Sequence, residues 1–143
     1  MKIEINIAAV GWIKTALENL ISDFDVLLRN EALTDDEASD YINDRQSYQC
    51  CLALIEEWER EIKNNNFKNA IGFEVSYSVV KSINAALSRL ITVFEKCLEN
   101  EKLNIDDRSS LLANQSACQT ILASFENESE KEFEKIKHAF LKS

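Results

Sequence analysis

The sequence predicts an all-α protein, an antiparallel four-helix bundle built from two tandem helical hairpins. Three observations carry that prediction. Proline is absent and glycine occurs twice in 143 residues, too few for the many turns of a sandwich or an α/β fold. Apolar residues recur at spacings of three and four over long stretches, the period of a helix face. The chain also matches itself at an offset of seventy: of the 58 positions from Glu4 to Glu61, eighteen carry the same residue seventy positions further on. Unrelated amphipathic helices share far fewer, so internal duplication of a hairpin accounts for the match. The expected organisation is a single domain, 1–143, with a first hairpin over 3–62 and a second over 73–142.

The first helix follows from Val10, Ile13, Leu17, Leu20, Phe24 and Leu27, with Ile21 and Leu28 widening the stripe. Asn6 is a good cap for it, with Ile5 before and Val10 four residues after, the spacing of a hydrophobic staple. The alternation Ile3, Ile5, Ile7, matched by Phe73, Val75, Tyr77, also reads as a pair of short strands; the helix-start reading is preferred. The corner that follows, NEALTDDEAS (Asn30–Ser39), returns as NEKLNIDDRS (Asn100–Ser109). Thr34 with Glu37, and Asn104 with Asp107, have capping-box spacing, and Leu33 and Leu103 would close the end of the core.

The second helix shows Tyr41, Tyr48, Cys51, Leu52, Ile55, Trp58 and Ile62 on one face. A short polar connection, roughly 63–72, leads to the second copy, where Ser76 caps. The third helix carries Val80, Ile83, Leu87, Leu90, Phe94, Cys97 and Leu98. The fourth carries Leu111, Cys118, Ile121, Leu122 and Phe125 and continues through Phe133, Ile136 and Phe140 across a polar interval. Each hairpin alone would expose its stripe, so the two copies need each other. An apolar seam left over would allow self-association.

Catalytic signatures are sparse. The single histidine, His138, lacks an HExxH companion or a nucleophile context. Two isolated glycines cannot form a phosphate-cradling loop. Cys50, Cys51, Cys97 and Cys118 lie inside helical patterns and read as small hydrophobes rather than metal ligands. Glu56-x-x-Glu59, with Glu126 at the repeat position of Glu56, would be the first half of the metal-binding pattern of all-α nucleotide pyrophosphohydrolases. The second half is absent, so neither cofactor nor metal is expected and an enzyme is disfavoured. No apolar run is long enough for a membrane span or a signal peptide, which points to a cytoplasmic protein.

Charge is the most informative feature. The net charge is −9, which disfavours direct nucleic-acid binding. From Met1 to Glu61 there are five Lys or Arg against fourteen Asp or Glu, whereas from Ile62 to Ser143 there are eleven of each. The whole excess therefore belongs to the first hairpin. Asp36, Asp40 and Asp44 recur every fourth residue, a spacing at which like charges repel. The helix dipole favours Asp35, Asp36 and Glu37 in the first turn, but it does not reach Asp40 and Asp44. Their repeat counterparts are Ser110 and Asn114, so the fold does not require acids there.

The plain account is a solvated face kept for solubility. The functional account is a docking surface for a basic protein, made of Asp35, Asp36, Glu37, Asp40, Asp44, Glu56, Glu57 and Glu59. On that account the chain is a small acidic interaction protein that binds and inhibits or regulates another macromolecule, by analogy with immunity, anti-defence and inhibitor proteins. The alternatives are a small-molecule-binding regulator lined by Tyr41, Tyr48 and Trp58, and the carboxylate-metal enzyme.

Overall fold

The computed structural model of the chain describes residues 2–65 and 70–142. In order, its elements are β1 (Lys2–Asn6), α1 (Ile7–Leu27), α2 (Asp35–Asn65), β2 (Ala70–Glu74), α3 (Tyr77–Leu98) and α4 (Ile105–Lys142). Four long helices and one short ribbon place it in the all-α class. Of the expected polar connection, positions 66–69 lie outside the described residues.

The two readings of the hairpin starts turn out to be compatible. β1 pairs antiparallel with β2, Lys2 opposite Glu74 and Ile3 opposite Phe73. Ile3 and Ile5 are buried while Lys2, Glu4 and Asn6 are exposed, the period of two that a half-buried strand requires. α1 begins at the residue after β1, and α3 begins after two residues, Val75 and Ser76, that follow β2. Asn6 caps α1, its Oδ1 accepting from the Ala8 N–H at 2.9 Å. Ser76 caps α3, its Oγ accepting from the Val79 N–H at 3.3 Å. A two-stranded ribbon is marginal by itself; this one is held by burying Ile3, Ile5, Phe73 and Val75 in the core. Ile3 stands opposite Phe73, seventy positions ahead of it, and the middle pair of the ladder is Glu4 opposite Gly72.

The core holds the stripes the periodicity predicts, in pairs seventy apart: Val10 with Val80, Ile13 with Ile83, Ala16 with Ala86, and Leu17 with Leu87, all buried in one cluster. α1 packs on α2 and α3 on α4, and the two hairpins meet chiefly through α1 and α3, with a lighter contact between α2 and α3. The core is therefore centred on the α1–α3 interface. From α2 only Cys51, Ile55 and Trp58 are buried, and from α4 only Cys118 and Phe125. Leu27 and Cys97, expected on the core stripes, are exposed, while the next residues, Leu28 and Leu98, are half-buried, so the covered face passes to them at the helix ends.

The corner hydrogen bonds recur at the same offset. Asn30 Oδ1 accepts from Ala32 N–H and Asn100 Oδ1 from Lys102 N–H, both at 3.0 Å. The Leu33 N–H donates to Asn30 O, and the Leu103 N–H to Asn100 O, both at 3.3 Å. Thr34 and Glu37 form the capping box, Glu37 N–H donating to Thr34 Oγ1 at 3.1 Å and Thr34 Oγ1 to Glu37 Oε1 at 2.9 Å. At the second corner the Asp107 N–H donates to Asn104 Oδ1 at 2.8 Å. There Arg108 adds donors to the Leu98 and Asn100 carbonyls, at 3.1 and 3.0 Å, satisfying chain-end acceptors of α3. Seventy positions earlier stands Ala38, which has no such donor.

Candidate partner-binding surface

α2 presents the acidic face. Asp35, Asp36, Asp40 and Asp44 are all exposed. At a rise of 1.5 Å per residue, Asp36 to Asp44 spans about 12 Å of helix. Among the described residues none of these four has a cationic partner. Glu37 differs, since its carboxylate is engaged by Thr34.

The acids at the other end of α2 form a separate patch. Glu56 follows Asp44 by about 18 Å of helix. Glu59 is bound by Lys14 of α1 at 3.0 Å. That hydrogen bond, followed by the charge of Glu59, holds the Lys14 ammonium above its ordinary pKa. Glu57 is exposed and Glu56 half-buried. The eight residues singled out from the sequence are thus divided: Asp35, Asp36, Asp40 and Asp44 are neighbouring and have no cationic partner among the described residues, Glu37 serves the cap, and Glu56, Glu57 and Glu59 lie apart, with Glu59 paired to Lys14.

Two ion pairs escape a sequence reading. Asp25 accepts from Arg45 Nη1 at 2.8 Å, tying α1 to α2, and Asp23 accepts from Arg89 Nε at 2.8 Å, tying α1 to α3. They neutralise acids near the end of α1, leaving the surplus concentrated on α2. No local pattern announces a pair whose members are 66 positions apart.

Beside the acidic face runs a groove of about 580 Å³ between α2 and α3. Asp44, Ser47, Tyr48 and Cys50 line one wall, and Ser78, Lys81 and Ser82 the other. Seventy positions earlier Ser82 corresponds to Trp12, which packs edge-on against Phe94 with ring centroids 6.2 Å apart. Ser82 itself places only a hydroxymethyl group on the groove wall. The three aromatics suggested as ligand-lining are dispersed. Trp58 is buried and stacked on Phe73, centroids 4.2 Å apart, while Tyr41 and Tyr48 both pack on Phe24. Burial, followed by the nearby Asp44 charge, raises the Tyr48 phenol above its ordinary pKa.

Other chemistry is thin. Among the described residues no three His, Cys, Asp or Glu side chains group so as to hold a metal ion. Burial pushes the Cys51 thiol up to about 11 and raises that of Cys118, so at neutral pH neither supplies a thiolate. Cys50, on the other side of the helix, is exposed. Among the described residues no helix is long and apolar enough to cross a membrane. No known family model matches the chain, and neither a curated protein nor a solved structure matches it.

Proposed function

We propose that the chain is a small interaction protein that docks a basic protein surface on the exposed edge of α2 and restrains that partner. One observation carries the reading: Asp36, Asp40 and Asp44 stand exposed on one helix without a counter-ion among the described residues, while the positions seventy further on, on α4, are Asp106, Ser110 and Asn114. Stacked like charges cost a few tenths of a kcal/mol per pair on a helix, a cost the second hairpin avoids. Opposed charge would turn it into attraction and fast, salt-sensitive association. The docking set narrows to Asp35, Asp36, Asp40 and Asp44. No direct nucleic-acid contact is assigned to it.

The same reading takes the architecture as a duplicated hairpin closing on itself as a four-helix bundle, supported by the paired core positions and the repeated corner hydrogen bonds. Four unpaired thiols suit a reducing compartment such as the cytoplasm.

The test is retention of a partner from lysate of the native host by the immobilised chain, beside Asp40→Ser/Asp44→Asn, which installs the α4 residues. One stoichiometric basic protein, retained by the wild type at low salt and lost from the variant, is the expected outcome. Equal retention by both would remove the partner from this surface.

A second reading rests on the groove between α2 and α3, whose hydroxyls, Tyr48 and Lys81 suit a small polar ligand. Ser82→Trp would place an indole in it. A metabolite that raises the melting temperature of the wild type but not of Ser82→Trp would favour this reading over docking.

A further inference from the structure

α4 is 38 residues long and α3 only 22. The first turn of α3, at Tyr77 and Val80, lies beside Glu126, Ser129 and Glu130 of α4. Residues 131–142 therefore run past the start of α3 for about 18 Å. The apolar stripe does not stop with the partner. It passes from Leu122 and Phe125 in the core to Phe133, Ile136 and Phe140, which are eight, eleven and fifteen residues beyond Phe125 and so share its face. Phe133 is 65% exposed, Ile136 55% and the neighbouring Leu141 76%. A face that α3 covers along its first half is thus exposed at Phe133 and Ile136 beyond it.

The charges of this end of α4, from residue 126 onward, are segregated. Glu126, Glu128, Glu130, Glu132 and Glu134 precede residue 135, with Lys131 alone among them, and Lys131 is bound to Glu128 at 3.5 Å. From 135 to 142 come Lys135, Lys137, His138 and Lys142 without an acid. A helix that is acidic at one end and basic at the other is complementary to its own reverse. We propose that the α4 tail pairs antiparallel with the tail of a second copy of this chain, about a twofold axis near residues 134 and 135.

In that pairing Phe133 packs opposite Ile136 of the second copy, and Glu130 flanks Lys137 of the second copy on both sides of the axis. A parallel arrangement would set glutamates against glutamates. A buried phenylalanine removes roughly 150–250 Å² from water, so the apolar side chains of the two tails bury on the order of 1,000 Å² in total. That is the low end for a specific interface, and the dimer is weak and concentration-dependent, with a dissociation constant on the order of micromolar. The surface belongs to the second hairpin, so this pairing does not rest on the docking proposed for α2.

Analytical ultracentrifugation of the full chain from about 1 to about 300 μM tests it. The expected result is a monomer–dimer equilibrium abolished by Phe133→Ser/Ile136→Ser. Glu130→Lys and Lys137→Glu should each weaken the dimer about tenfold, since each turns two attractions into repulsions. Glu130→Lys/Lys137→Glu should restore it, which only the antiparallel register predicts. All these positions are exposed or flank exposed side chains, and circular dichroism checks that helix content is retained. A wild type monomeric throughout the range, a dimer indifferent to Phe133→Ser/Ile136→Ser, or charge swaps that fail to restore association would each overturn the pairing.

Discussion

Leu17 and Leu87 occupy matching positions of α1 and α3, both with no residual exposure, in one cluster that also takes in α2, α4 and both strands. Truncating Leu87 to alanine removes buried methyl groups and leaves a cavity that rigid neighbours fill only in part. The cost is about 3 kcal/mol, out of a total that for domains of this size is roughly 5–15 kcal/mol. For a chain of this length that corresponds to a fall in melting temperature of about 10 °C. Because α1 and α3 are each other's main inter-hairpin contact, the loss must be felt by both halves. Thermal unfolding followed by far-ultraviolet circular dichroism should therefore show one transition, shifted down as a whole, for Leu87→Ala and equally for Leu17→Ala. If Leu87→Ala instead split the curve, with about half the helical signal melting at the wild-type temperature, the hairpins would be independent units. The reasoning from a shared core would then be refuted.

Other consequences are as direct. Thr34→Ala removes the reciprocal cap with Glu37, and Asn104→Ala the acceptor for Asp107; each should cost about 1 kcal/mol in urea unfolding. The effect of Asn104→Ala should be the smaller, since Arg108 still ties down the second corner. Alkylation of the native protein at neutral pH should modify Cys50 and Cys97 and spare Cys51 and Cys118 until the chain unfolds, as mass spectrometry of labelled peptides would show. The thiol of Cys51 titrates at about 11 in the fold against 9.0 for an ordinary cysteine. Since the folded state holds that proton more tightly, its contribution to stability is full below pH 9 and is lost as pH rises through 11. Urea midpoints measured across that window should fall more steeply for the wild type than for Cys51→Ala.

Where sequence reasoning failed, the cause was always a neighbour distant in the chain. The alternation at Ile3 and Ile5 is five residues long, too short to separate a strand from the approach to a helix; pairing with Phe73 and Ile71 decided it. Glu59 looked like part of an acidic run until Lys14 came within 3.0 Å. Trp58 looked like a possible ligand platform, and the ring of Phe73 closed over it. In each case a side chain with the right local spacing acquired its role from a contact that spacing does not encode.

The four amphipathic stripes, the two capped corners and the one-sided charge were all set by the sequence itself. They depend on a 3.6-residue period, on side-chain-to-backbone hydrogen bonds spanning two or three residues, and on counting, none of which needs a distant partner. Tertiary structure alone decided which acids gain counter-ions, as Asp23, Asp25 and Glu59 do, where a groove stays open between α2 and α3, and that the stripe of α4 outruns α3. Those are differences between what a face offers and what the fold brings against it, and only packing can settle that difference.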